Sequence, residues 1–232
     1  MLDLCVTFEA TMVLFRSGRV RIFGSNSGGA LGLGSDFDLI VGDNEPPTDV
    51  PPLNLVNGSL AESITCGNFH ACVVLRDGGG VVCWGEPIAS GRDCRNGGVC
   101  DPVLASTIPP IEFPPGTGRI VQAAASDENT CFLEALPLGR VICVGYLPRG
   151  ALGWYQFASS IRSPVDSRFV GLEEPAIEVS AGTGFGCALL QSLTVRCWGV
   201  GTSGQLGNGL TTTIGDDEAV DSVPPVIVGN DF

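Results

Sequence analysis

The sequence predicts an all-β protein of the propeller class, made of four repeated units. A short apolar strand ends on a glycine four times, at intervals of 61, 60 and 54 residues. Each glycine is preceded by two apolar runs around a short turn, and cysteines recur at one phase in three of the four copies. A period of this size is typical of stacked supersecondary units. The glycines are Gly24, Gly85, Gly145 and Gly199.

Each unit contains a β-hairpin that ends on the repeat glycine. Aliphatic, aromatic and β-branched residues flank a polar or glycine turn, which predicts two antiparallel strands. In the first unit the runs 12–15 and 19–23 flank the turn, and in the second the runs are 72–75 and 81–84. The four turns are Arg16 to Gly18, Arg76 to Gly80, Pro137 to Gly139 and Gln191 to Leu193.

Further apolar segments, several marked by proline, run between the hairpins. Added to each hairpin, they give about four strands per unit, the content of a propeller blade. We expect one propeller domain over 1–232, and the one helical signal is a short turn at 104–107. The added segments are 52–56, 110–113, 120–123, 177–180 and 225–228, and the repeats span about 1–64, 65–124, 125–180 and 181–232.

The cysteines follow the same frame. Three pairs lie on the facing strands of successive hairpins, 11, 12 and 10 residues apart, and opposed residues of an antiparallel pair come within disulfide reach. The first unit carries Met12 and Ile22 at the matching positions, so both cysteines are absent together, as a bonded pair predicts. The predicted pairs are Cys72 with Cys83, Cys131 with Cys143, and Cys187 with Cys197.

Four cysteines lie outside the hairpins. Cys94 and Cys100 close the irregular loop of the second unit, while Cys5 and Cys66 occupy nearly the same phase in adjacent units. A bridge between neighbouring units would join the latter two, although the residues leave this pairing open. Zinc sites are the alternative, but the chain has no CxxC and a single histidine. Paired cysteines at this density indicate an oxidising compartment.

Composition limits the partners. The net charge is −13, the pI is about 4.3, and all twelve basic residues are arginine. Without a basic run, direct nucleic-acid binding is not expected. No apolar stretch of about 20 residues predicts a membrane span, and the first residues do not resemble a signal peptide. Because the cysteines indicate an oxidising compartment while no signal peptide is seen, we expect an extracellular or secretory-lumen segment of a longer or incomplete chain. One glycosylation sequon begins at Asn57.

Isolated motifs offer little chemistry. The glycines at 199, 201 and 204 match a dinucleotide fingerprint, but no helix pattern follows. His70 has no nucleophile in its context, and the acidic runs 43–45 and 216–218 lack the spacing of a calcium loop. Trp84 and Trp198 recur in phase, which favours packing between units. We expect no cofactor, no metal and no catalytic set.

Several segments resemble repeats of the regulator of chromosome condensation family. They are 66–75, Val82-Cys83-Trp84-Gly85 and 197–209, the last ending in Gly-Gln-Leu-Gly-Asn-Gly. The resemblance implies a seven-bladed propeller, so we expect these four repeats to be part of a larger or incomplete ring. The alternative is a compact closure of four blades or assembly with another chain. The paired strand cysteines are similar to those in the ectodomains of crinkly-type receptor kinases.

The function expected from this resemblance is non-catalytic. The loops 37–52, 92–102 and 211–223 diverge while the strand frame is kept, so we expect them to bind a protein or glycan at one propeller face. One alternative is guanine-nucleotide exchange on a small GTPase, the activity of the family's founder. Another is inhibition of an enzyme by a propeller face. Further blades are the remaining expected partners.

Overall fold

The described chain is built from fourteen β-strands, with helical structure limited to single 3-10 turns. The structure is a computed structural model that describes residues 2–34, 39–92, 104–127, 129–146, 152–153 and 160–227. No helix in these ranges is long and apolar enough to cross a membrane. The strands are β1 Asp3–Val6, β2 Ala10–Leu14, β3 Val20–Ser25, β4 Ile40–Val41, β5 Ala61–Cys66, β6 His70–Leu75, β7 Val81–Gly85, β8 Ile120–Ala125, β9 Asn129–Glu134, β10 Val141–Tyr146, β11 Ser160–Ile161, β12 Ala176–Gly182, β13 Phe185–Leu190 and β14 Val195–Gly199.

These strands form four antiparallel sheets in chain order, which we call blades 1 to 4. Their orders are β1-β2-β3-β4, β5-β6-β7, β8-β9-β10-β11 and β12-β13-β14. The predicted all-β propeller class with four units is therefore confirmed. The blades begin at Ala61, Ile120 and Ala176, a few residues before the repeat starts read from the sequence.

The proline-marked segments differ from the strands predicted for them. Leu53, Ile111 and Val226 in these segments, and Val170 at the equivalent position of blade 3, each donate one backbone hydrogen bond, of 2.7 to 3.0 Å, to the first residue of the third strand of their blade. Within the residues that the structure describes, these segments form no longer ladder. In three of the four, two consecutive prolines precede the donor, and proline has no N–H to extend the pairing. The short 3-10 turn Ala105–Thr107 lies where a helical turn was predicted.

The hairpin registers place cysteines opposite one another. Cys72 faces Cys83, and the same register recurs in blades 3 and 4, with Cα atoms 4.0 to 4.1 Å apart in each disulfide. Met12 faces Ile22 at this position in blade 1. A fourth disulfide, between Cys5 and Cys66, joins β1 to β5 and therefore links two blades. The predicted pair Cys94 and Cys100 lies outside the described residues.

The hydrophobic core lies between the blades. Along β6 the side chains alternate: Ala71 and Val73 pack with residues of blade 1, whereas Cys72 and Val74 pack with residues of blade 3. Side chains on a strand point alternately to its two faces, so one blade contributes to two cores. The first strand of each blade contacts the first strand of the next, from β1 through β5 and β8 to β12.

The repeat glycines close the hairpins in a conformation that other residues avoid. All four have positive φ, between 87° and 128°. A Cβ on Gly85 would collide with the carbonyl oxygen of Phe69, which accepts a 2.8 Å hydrogen bond from the Glu86 N–H. Gly24 and Gly199 meet the equivalent carbonyls of Glu9 and Gly184. The glycine period is therefore a backbone requirement of the hairpin.

We predict that Gly85→Ala lowers the free energy of unfolding by at least about 2 kcal/mol. The change forces alanine into a positive-φ backbone conformation and brings its Cβ into collision with the Phe69 carbonyl oxygen. Gly171→Ala is the matched control, since Gly171 has no positive φ and open space around its Cα. Chemical denaturation of both variants measures the difference. Equal stabilities would contradict the role assigned to the repeat glycine.

Candidate recognition surface

The loop that follows β4 is closed by side chains of the loop and of β3. The Gly42 N–H donates a 3.1 Å hydrogen bond to the Glu45 carboxylate. The Arg21 guanidinium donates to the carbonyl oxygens of Pro47 and Val50, which fixes the return of the loop toward the proline segment. A loop held at both ends in this way presents its remaining side chains on a defined frame.

The loop that follows β14 repeats this design in blade 4. The Gly215 N–H donates a 3.1 Å hydrogen bond to the Glu218 carboxylate, and Arg196 donates to the carbonyl oxygen of Val223. Arg196 also donates from Nε to the Glu173 carboxylate at 2.7 Å. The shared sequence is a β-branched residue, then Gly-Asp, then Asn or Asp, then Glu. This sequence follows the repeat glycine in both units, and its recurrence is the signal in the sequence that the two loops share one structure.

Both loops follow the repeat glycine, so they emerge from the same end of their blades. The stretches 39–52 and 211–223 together contain seven carboxylate side chains and neither lysine nor arginine. We call these two stretches the acidic loops. Among their carboxylates, Asp43, Asp49, Asp217 and Asp221 are exposed. The third predicted binding loop, 92–102, lies outside the described residues apart from Arg92.

Three carboxylates of the second acidic loop lie close together. Asp216, Asp217 and Glu218 each place an oxygen within 4.8 Å of the others. Burial, together with the neighbouring Asp217, raises the pKa of the Glu218 carboxyl above its usual range. Glu218 already accepts the Gly215 N–H, so its place in the cluster is explained by closure of the turn.

His70 is fully buried between blades 2 and 3. Its Nε2 lies 2.7 Å from the Thr130 Oγ1, and that hydroxyl donates to the Ala89 carbonyl oxygen at 2.6 Å. Because the hydroxyl has one proton and donates it to Ala89, the imidazole must donate from Nε2. Burial lowers the pKa of His70 to about 4. The residue therefore joins two blades, and Gly67 leaves the space that its ring occupies.

Trp84 and Trp198 lie at blade junctions. Trp84 is buried, and its Nε1 donates a 2.9 Å hydrogen bond to the Ala30 carbonyl oxygen of blade 1. Trp198 is equally buried and packs beside Gly153, from the loop of the preceding unit.

Two sequence motifs lie in loops. Gly201, from the predicted fingerprint, has no room for a Cβ because the Thr212 carbonyl oxygen occupies that space. Asn57 is exposed in a 3-10 turn with φ of 54°, a conformation that asparagine tolerates well. Glycosylation at this residue stays a prediction.

A protein-family comparison matches one of the four repeats. Residues 61–87 match the model of the regulator of chromosome condensation (RCC1) repeat. They run from the start of β5 through β7, so the match covers the strands of blade 2. No curated protein sequence matches the chain. The repeat resemblance predicted from the sequence is confirmed in this blade.

Several solved structures share the fold. Human WBSCR16 has a TM-score of 0.75 at 20% identity, with 98% of this chain and 53% of that chain covered. Prp20p from Saccharomyces cerevisiae, described with its binding to Gsp1p and histones, has a TM-score of 0.70 at 18% identity, covering 99% and 50%. The CRINKLY ectodomain of the Arabidopsis thaliana receptor kinase ACR4 has 0.51 at 14%, covering 97% and 54%. The chain thus spans about half the length of each.

We predict that His70 makes stability depend on pH between 6.5 and 4. In this window an unfolded histidine takes up a proton while the buried His70 stays neutral, so stability falls as the pH falls. The loss should reach about 3 kcal/mol at pH 4. His70→Asn, which copies the residue at the same position in blade 3, should remove this component. Parallel pH profiles of unfolding for the two proteins would contradict the assignment.

Proposed function

We propose that this array of RCC1-type blades is a non-catalytic recognition module, which binds a protein partner with a basic surface through its acidic loops. The observation that carries the proposal is the repeated loop design, in which two stretches with the same closing turn together carry seven carboxylates and neither lysine nor arginine. Clustered charge of one sign steers an oppositely charged partner and sets specificity. Neutral and anionic glycans lack the positive charge that these loops would attract.

We further propose that the module works outside the cell or in the secretory lumen. Four disulfides join its described strands, and such bonds persist in oxidising compartments. The similarity in fold to the ACR4 ectodomain supports this setting.

A second candidate is guanine-nucleotide exchange on a small GTPase. The similarity in fold to Prp20p, whose structure is described with binding to Gsp1p, favours it. The disulfides argue against it, since they would not persist in the reducing compartment where such GTPases act. The two candidates therefore differ in compartment as well as in partner.

We predict that Asp43→Asn combined with Asp217→Asn weakens capture of the partner at least tenfold, because both side chains are exposed and neither closes a turn. The matched control is Asp77→Asn with Glu112→Gln, which removes the same charge from exposed positions outside the acidic loops. The wild-type protein, the loop variant and the control variant are each immobilised and incubated with secreted proteins at low and high salt. The bound proteins are quantified by mass spectrometry.

The proposal expects basic proteins that are lost from the loop variant and at high salt, but kept by the control. Equal recovery by all three proteins would contradict it. Nucleotide release from a panel of GTPases tests the second candidate, and acceleration by the oxidised protein would favour exchange over recognition.

A further inference from the structure

Two phenylalanine rings are exposed side by side where blades 1 and 2 meet. Phe8 lies in the β1–β2 turn and is 68% exposed, and Phe69 lies in the β5–β6 turn and is 48% exposed. Their ring centroids are 5.8 Å apart and their planes meet at 40°. We call these two rings the aromatic pair. Large apolar side chains that are exposed together, unlike single ones, mark an interaction site.

The backbone holds both turns in place. The Phe8 N–H donates a 2.9 Å hydrogen bond to the Asn68 carbonyl oxygen of the neighbouring turn, and the Phe69 carbonyl oxygen accepts one from the Glu86 N–H at 2.8 Å. The disulfide that links blades 1 and 2 joins the strands that lead into these turns. A phenylalanine on a fixed backbone has only two side-chain torsions, so it loses little conformational entropy when it binds a partner.

The exposure belongs to this place in the repeat. Phe8, Asn68 and Asp127 each lie two residues after the last paired residue of the first strand of their blade. Asn68 and Asp127 have a described blade on both sides, and both are still partly exposed. Neighbouring blades therefore leave this position open, and packing between blades does not explain a phenylalanine there.

The aromatic pair lies at the same end of the blades as the acidic loops. The Ser25 N–H donates a 2.9 Å hydrogen bond to the Glu9 carbonyl oxygen, so the turn that carries Phe8 meets the end of β3. Ser25 also pairs with Ile40, which belongs to the first acidic loop. Adjacent strands are about 4.8 Å apart, so about 10 Å of sheet separates the turn from this loop. One protein partner covers about 800 Å², which is enough to contact both.

The charge beside the rings favours a cationic side chain of the partner. Glu9 follows Phe8, is exposed, and has no ion-pair partner among the described residues. A phenyl face attracts a cation, and the planar guanidinium of arginine can stack on the ring and bind a carboxylate through two hydrogen bonds. The fold already contains this arrangement: Arg140 lies 3.9 Å from the centre of the Phe169 ring and donates to both oxygens of the Glu134 carboxylate.

We propose that the aromatic pair binds an arginine side chain of the partner, with Glu9 as the carboxylate that pairs with it. The inference rests on the proposed function, since it assumes a basic partner at the acidic loops, and it adds which side chain anchors that partner. A lysine ammonium is a compact, strongly hydrated charge that cannot stack in this way. The acidic loops attract the partner over distance, whereas the aromatic pair selects arginine at contact.

The test compares two fluorescent peptides of equal length and charge. In one peptide arginine alternates with glycine, and in the other lysine replaces each arginine. Fluorescence anisotropy with the purified protein measures the affinity for each. The wild-type protein should bind the arginine peptide at least about threefold more tightly than the lysine peptide. Equal affinities, or no binding of either peptide, overturn the inference.

Phe8→Leu combined with Phe69→Leu keeps an apolar surface and removes both aromatic faces. This variant should bind the two peptides equally, because the arginine peptide loses its stacking contact. Phe8→Tyr with Phe69→Tyr is the matched control, which retains the rings and should retain the preference. All four changes are at exposed positions, so the circular dichroism spectrum should be unaltered. A preference for arginine that survives the leucine changes overturns the inference.

The loop variant Asp43→Asn with Asp217→Asn separates this inference from the proposed function. It should weaken both peptides by the same factor and leave their affinity ratio unchanged, which supports both. If it weakens both peptides while the leucine variant behaves as the wild type, the inference fails and the acidic loops keep their role. If the loop variant has no effect while the leucine variant loses the preference, the proposed role of the loops fails and the arginine site stands.

Discussion

Burial between blades is the constraint on which the rest of this structure depends. A single antiparallel sheet has two faces, and each strand here alternates its apolar side chains between two neighbours. Val73 and Cys72 are adjacent in sequence and lie in different cores. The blades therefore stabilise one another, and the specific contacts, His70 with Thr130 and Cys5 with Cys66, lie at their junctions.

The sequence predicted the features that depend on neighbours in the chain. Hairpin registers follow from period-two patterning and turn position, so Cys72 and Cys83 are opposed whatever surrounds them. The open question of Cys5 and Cys66 needed the placement of one blade on another. The prediction of full strands in the proline segments was wrong. The apolar composition of 52–56 indicates a strand, but the prolines before Leu53 cannot donate the hydrogen bonds that would extend its pairing. The partner of His70 was missed because Thr130 is 60 residues away.

The strands and the loops of this protein differ in role. The strands and repeat glycines form the blades, and two of the loops that follow the glycines are acidic. Arg21 and Arg196 anchor two of these loops through backbone carbonyl oxygens, and the exposed aspartates of the loops are the side chains that we propose contact a partner. A recognition surface of the proposed type needs rigid blades, and the four disulfides cross-link the described strands of those blades.

The most direct test of the blade arrangement is disulfide mapping by mass spectrometry of protein purified without reductant. The account predicts linked peptides for Cys5 with Cys66, Cys72 with Cys83, Cys131 with Cys143, and Cys187 with Cys197, and no reactive thiol at these eight positions. Thiol labelling of these cysteines in the native protein, or linkage in another pattern, would contradict the blade frame and the compartment proposed for it.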